Sequence, residues 1–184
     1  MRRSGVLLPV TSLPSRFGIG TFSKEAYAFV DFLKEAGQKL WQILPLGPTG
    51  YGDSPYQAFS TFAGNPYLID LEELIENGWL TEEECENTDW GGSKSYVDYE
   101  KMYQGRFPLL RKAYHNSHIA ENAEFIAFCE ENDWWLSDYA LFMAIKDSQG
   151  GASFLEWDAP LKLREPEAIR RCRHELSDEI CFWQ

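Results

Sequence analysis

Two short apolar runs stand near the start of the chain, Gly5-Val6-Leu7-Leu8 and Leu40-Trp41-Gln42-Ile43-Leu44. Continuous rather than alternating runs of this length predict strands buried on both faces. Between them Ala26, Phe29, Val30, Leu33 and Ala36 recur at helical spacing. Ser23 is placed to cap that helix, and Gly37 can close it in the left-handed conformation. Strand, helix and strand make a βαβ unit, which implies a parallel sheet covered on both faces.

Beyond residue 70 the pattern turns helical or irregular. Leu71 to Asn77 predicts a short helix stopped by Gly78, and Asp89 to Ser95 a polar loop. Tyr103, Phe107, Leu110 and Tyr114 lie four, three and four apart, but Pro108 interrupts them, so the helix is expected to restart with Pro108 in its first turn. Ala123 to Glu131 reads as another short helix. Trp134 to Lys146 is apolar on nearly every side, which predicts a buried helix ended by Gly150-Gly151. Pro166 opens a last helix with the stripe Ile169, Cys172, Leu176, Ile180 and Trp183. That stripe runs to Gln184 without a stop signal, and two strands are few for a parallel sheet. Both features lead us to expect the N-terminal piece of something longer.

Composition narrows the partners. With 29 acidic against 17 basic side chains in 184 residues, the net charge is −12. An acidic surface disfavours nucleic acid and anionic membranes, because phosphate binding needs a basic one. Apolar residues make up 44% and aromatic ones 15%, far from a disordered composition. Val6-Leu7-Leu8, broken by Pro9, is too short for the h-region of a secretory leader, about 7–15 apolar residues. No run reaches the roughly 20 apolar residues of a membrane span. A cytoplasmic location is expected. Cys85, Cys129, Cys172 and Cys181 show no zinc-knuckle spacing and read as reduced structural thiols. His115, His118 and His174 have no neighbours at ligand spacing, so neither a metal nor another cofactor is expected.

One stretch carries candidate chemistry, from Gly47 through Gly50-Tyr51-Gly52-Asp53-Ser54-Pro55-Tyr56 to Asn65-Pro66-Tyr67. It follows the C-terminal end of the second strand, where parallel α/β folds bind ligands. Its tyrosines offer flat apolar faces with polar tips, and Ser, Asn and Gln offer directed hydrogen bonds. A sugar ring needs both. The same composition also suits an ordered loop whose aromatics simply pack. Asp53 is either a carboxylate for chemistry or, as Asp before Ser-Pro more often is, a turn former. Gly52-Asp53-Ser54 does not complete a nucleophile elbow, which needs Gly-x-Ser-x-Gly. Glycosidic cleavage needs two carboxylates flanking the bond. The remaining acidic residues named by the pattern, such as Asp31, Glu35, Glu72, Glu73, Glu130 and Glu131, read as solvated helix faces.

The run from Leu44 through Gly50-Tyr51-Gly52-Asp53-Ser54-Pro55-Tyr56, continuing through Phe62-Ala63-Gly64-Asn65-Pro66-Tyr67-Leu68-Ile69-Asp70, resembles the signature of the 4-alpha-glucanotransferases, also called amylomaltases or disproportionating enzymes. Thr11-Ser12-Leu13-Pro14 with Phe17-Gly18-Ile19-Gly20 is similar to that family's first loop, and Trp134 to Phe142 to its helical insertion. The resemblance implies an α/β fold: the N-terminal part of an α-amylase-like (β/α)8 barrel, its first two strands, with a mostly helical inserted subdomain. Residues 1–70 would start the barrel and carry the substrate loop, 71–165 would form the insertion, and 166–184 would lead back to the barrel. A whole barrel takes about 250 residues.

It further implies a retaining transfer of a 1,4-alpha-glucan segment to a new 4-position of glucose or another glucan. The partners would be maltooligosaccharides and 1,4-alpha-glucans. The family's catalytic carboxylates come from later strands, so no catalytic residue carries over. Ser54 and Tyr56 match positions lining the donor sugar sites. Tyr51, with Tyr103 as its partner, matches an additional glucan groove. Asn65 is a candidate by its place in the motif, or else a turn former. A glucan-binding module without turnover and a helical interaction domain are the rival readings.

Overall fold

Strands β1 (Gly5–Leu7) and β2 (Leu40–Gln42) pair in parallel, with Gly5 opposite Leu40, Val6 opposite Trp41 and Leu7 opposite Gln42. Flanking bonds extend the ladder, Lys39 N–H to the Ser4 carbonyl and Leu8 N–H to the Gln42 carbonyl. Gly5 is required by this register, since a Cβ there would sit 2.5 Å from the Leu40 carbonyl oxygen. The crossover is helix α1 (Lys24–Glu35), as its periodicity predicts. Ser23 caps it by accepting from Glu25 N–H, and Gly37 follows with φ 71°. The computed structural model describes residues 2–50, 52–93 and 95–184.

The helix packs on the sheet through a core of Val10, Leu13, Ala26 and Leu68, flanked by Leu8, Phe29, Trp41, Ile43 and Leu46. Trp41 sits edge-on to Phe29 at 5.0 Å and donates its indole N–H to the Leu8 carbonyl at 2.8 Å. A half-buried aromatic thus satisfies its polar atom while tying β2 to the end of β1. The strands are not buried on both faces as the apolar runs predict, because Val6, Leu7 and Leu40 remain exposed. Only one face meets a described partner, α1 and the loops beside it.

Helices α2 (Leu71–Glu76), α3 (Glu82–Glu86) and α4 (Tyr99–Ser117) follow. The sequence reading omits α3, although Thr81 and Glu84 form a reciprocal capping box at its start. In α4, Pro108 lies inside a continuous helix instead of opening a new one. An interior proline costs about 3 kcal/mol. Met102 and Arg106 before it, and Leu109, Leu110 and Ala113 after it, are all buried. Burying each large apolar side chain contributes about 1.5–3 kcal/mol, which holds both halves in place.

A second unit contains α5 (Ala123–Ser148), α6 (Ala159–Lys162), α7 (Pro166–Glu175) and α8 (Ser177–Trp183). The two helices predicted before and after residue 132 are one, α5. Asn132 donates to the Phe128 carbonyl one turn back and accepts from the Trp135 indole, so the polar pair Asn132-Asp133 rides on the helix instead of breaking it. Burial within α5 is confined to one end, at Leu136, Ala140, Leu141, Met143, Ala144 and Ile145, whereas Trp134 is 69% exposed. The single last helix predicted from Pro166 is instead two. It breaks at Leu176, which lets Cys172 and Ile180 both reach the Ala140–Ile145 face.

The chain divides into two compact units, Met1–Ser117 and His118–Gln184. All four cysteines are free thiols, with Cys85 and Cys172 buried. No helix among the described residues is long and apolar enough to cross a membrane.

Candidate functional site

The candidate loop leaves β2 through Leu44-Pro45-Leu46 and is stitched to the strand end by Asn65 N–H donating to the Leu46 carbonyl at 2.8 Å. A bridge between Thr49 and Ala58 narrows its neck. Gly47 is needed there, because a Cβ would meet the Ala58 Cβ at 2.9 Å. At the tip, Asp53 N–H bonds the Gly50 carbonyl and Gln57 N–H the Ser54 carbonyl, two successive turns. Asp53 is left-handed, with φ 51°. Asp tolerates that region better than most side chains do, and residues held there cluster at ligand clamps.

Of the site residues the sequence proposes, Tyr51 lies outside the described residues. Ser54 is half-buried and its hydroxyl accepts from Tyr56 N–H at 3.4 Å. Tyr56 is 73% exposed, so its ring is available to a ligand. Asn65 caps the 3-10 turn Pro66–Leu68 by accepting from Tyr67 N–H at 2.9 Å. Tyr103 stands on α4, mostly exposed, its ring 5.3 Å from Phe107. Phe107 in turn meets Tyr67 edge-on at 6.0 Å. Ser54 and Tyr56 therefore share one loop, Asn65 closes its base, and Tyr103 reaches that base through the rings of Phe107 and Tyr67.

Beneath the loop lies a cavity of about 100 Å³. Its walls include Leu44, Pro45 and Leu46 from the strand end, Thr49, Asp53 and Pro55 from the loop, and Asn65 and Tyr67 from its base. Pro9, Val10, Thr11, Ile19, Leu68 and Tyr99 complete them. Burial pushes the Asp53 carboxyl above its ordinary value. Tyr67 is pushed up to about 12, mainly by burial and then by the Asp53 charge, and Tyr99 rises for the same two reasons. The sequence offers no signal for Tyr99. It reaches the cavity from the first turn of α4, some thirty residues beyond the motif.

Behind Tyr67 lies Arg106, wholly buried, its Nη2 donating to the Ile69 carbonyl. Desolvation lowers its pKa to about 10, opposed by the Asp70 charge. Its Nε and Nη1 have no hydrogen-bond partner. Asp70 caps α2 by accepting from Glu72 N–H. Arg106 therefore fastens α4 to the stretch that leads from the loop base into α2.

A parallel pair of strands whose C-terminal edge carries an exposed tyrosine, small hydrogen-bonding side chains and a largely apolar cavity with one carboxylate defines an α/β protein with its candidate site at the strand ends. Comparison with known proteins agrees. Residues 8–184 match the 4-alpha-glucanotransferase family profile. The 4-alpha-glucanotransferase of Thermus thermophilus is 48% identical over 98% of this chain, and that of Clostridium butyricum 45% identical over 95%. The chain spans 36% of the length of each. Among solved structures, an amylomaltase from Streptococcus agalactiae in complex with acarbose superposes over the whole chain and 37% of its own, with a TM-score of 0.93 and 45% identity. The chain belongs to the 4-alpha-glucanotransferase family, and its two strands and helical excursion are the N-terminal part of the (β/α)8 barrel that the motif implies.

Proposed function

We propose that this chain supplies the donor-sugar side of a cytoplasmic 4-alpha-glucanotransferase, which moves a segment of a 1,4-alpha-glucan onto the 4-hydroxyl of glucose or of another glucan. The observation that carries this reading is family membership over residues 8–184, joined to a strand-end loop that leaves the Tyr56 ring open beside the Ser54 hydroxyl. Tyr56 offers its face to the C–H side of a glucosyl ring, while Ser54 bonds a ring hydroxyl. Asn65 keeps the loop base closed. Tyr103, with Tyr51, extends the contact to a further stretch of glucan.

Retaining transfer needs a carboxylate nucleophile and a second carboxylic acid about 5–5.5 Å apart. These residues hold and orient the donor, and the reacting carboxylates lie on later strands of the whole protein. The parts assigned are residues 1–70 to the barrel start, 71–165 to the insertion and 166–184 to the return. The protein of the complete reading frame is expected to convert maltotriose into glucose and longer glucans, read by chromatography of the products. Hydrolysis alone, or no products at all, would overturn the assignment.

A further inference from the structure

We propose that the cavity under the loop seats the exocyclic hydroxymethyl group of one glucosyl residue of the bound glucan, with Asp53 as the acceptor for its hydroxyl. This rests on the glucan reading above and adds a contact that neither the motif nor the family match assigns.

Three observations carry it. The first is size. At about 100 Å³ the cavity is well below the ~300–1,000 Å³ of clefts that enclose a whole ligand. It can take a side arm, or about three waters at ~30 Å³ each. The hydroxymethyl group is the one arm a glucosyl unit projects beyond its ring.

The second is chemistry. Among the described residues Asp53 is the only charged side chain in the lining, and no cation accompanies it. An ionised carboxylate has about four acceptor sites and no donor, so it needs hydroxyl or N–H partners. A neutral hydroxyl supplies one without a counter-charge, whereas an anionic ligand would be repelled. Leu44, Pro45, Leu46 and Leu68 give the methylene an apolar wall. Asp53 shares the lining with the phenols of Tyr67 and Tyr99, whose values its charge raises after burial.

The third is position. Asp53 directly precedes Ser54 and lies three residues from Tyr56. A ring resting on Tyr56 therefore sits on the same loop whose Asp53 and Pro55 line the cavity. Asp53 holds a left-handed backbone, with φ 51°, and is part of the lining.

The test compares the wild-type protein of the complete reading frame with Asp53→Asn and Asp53→Gly, using maltotriose and three analogues, each 6-deoxy at one ring. Asparagine and glycine both tolerate positive φ, so the turn survives. If the glycine protein does not fold, the asparagine protein carries the comparison. With the wild type, one of the three deoxy analogues is expected to lose ~10–100-fold in kcat/KM, the scale of one hydrogen bond to a charged group. Both variants should lose a similar factor on maltotriose and should no longer distinguish that analogue from maltotriose. A wild type indifferent to all three analogues, or variants that keep the full discrimination, would overturn the proposal and leave the cavity to water, with the transferase reading intact. No transfer from unmodified maltotriose by the wild type would overturn the function and this contact together.

Discussion

Arg106 shows how a single side chain can be both costly and structural. Its guanidinium is fully buried, yet two of its nitrogens find no partner. An unpaired buried donor costs about 1–3 kcal/mol. In return its Nη2 closes the Ile69 carbonyl, and its charge faces Asp70. Substituting a buried, poorly paired ion by an apolar side chain of similar length is often neutral or stabilising, whereas truncation leaves a cavity. Arg106→Met is therefore expected to shift the urea midpoint little in either direction. Arg106→Ala should destabilise by about 2–5 kcal/mol. Equal losses in the two variants would show that the charge, and not the volume, holds α4 in place. The same neighbourhood explains why Gly18 is glycine: its φ is 79°, and a Cβ would collide with the Met102 methyl and the Trp90 side chain.

Elements were legible where local chemistry and packing agreed. Helix α1 carries its cap, its stripe and its closing glycine in the sequence; the structure keeps the cap and the glycine and turns Ala26, Phe29 and Leu33 to the core, while Val30 is exposed and Ala36 falls at the C-cap. The loop was legible because its uncharged aromatic composition is unlike anything else in the chain. The sequence splits α4 at Pro108 and α5 near residue 132, yet both helices run on, because tertiary packing on either side outweighs local propensity. The break at Leu176 leaves no mark in composition, since it is set by where α5 offers apolar surface. Tyr99 was invisible because its membership of the cavity is a long-range contact.

Alkaline pH probes these elements directly. Tyr139 in α5 is pushed up to about 12 by burial and then by Asp147, as Tyr67 is in the first unit by burial and Asp53. A phenol whose folded value exceeds its ordinary one keeps its proton longer when folded. Its contribution is complete below about pH 10 and is lost as pH rises towards 12. Arg106, lowered to about 10, has the opposite sign and gains over the same window. Tyr139→Phe is expected to lose less stability than the wild type between pH 9 and 11.5 in urea unfolding. An identical loss in both would refute the raised value.

At the scale of the whole molecule, the sequence identifies the class, whereas its resemblance-based parts, 1–70, 71–165 and 166–184, are not the compact units of the fold. Two strands and a family motif are enough to identify the opening of a barrel. The two compact units, meeting in sequence at Ser117 and His118, depend on which helices share a core, and no breaker marks that point. Each unit has its own core. The first contains the clusters around Val10 and around Met102, and the second is built on Ala140 and Ala144.

That separation gives the molecule a pair of chemical stopwatches. Cys85 is wholly shielded within the first unit, and Cys172 is 8% exposed within the second. Burial raises both thiols, which keeps them unreactive while the surrounding structure stays shut. With Cys129 and Cys181 replaced by serine, each remaining thiol should react with a disulfide reagent only as fast as its own unit opens. Two distinct labelling rates, with Cys85 responding to a substitution at Leu13 and Cys172 to one at Ala144, would show the units breathing on separate schedules. One shared rate would mean that they open together.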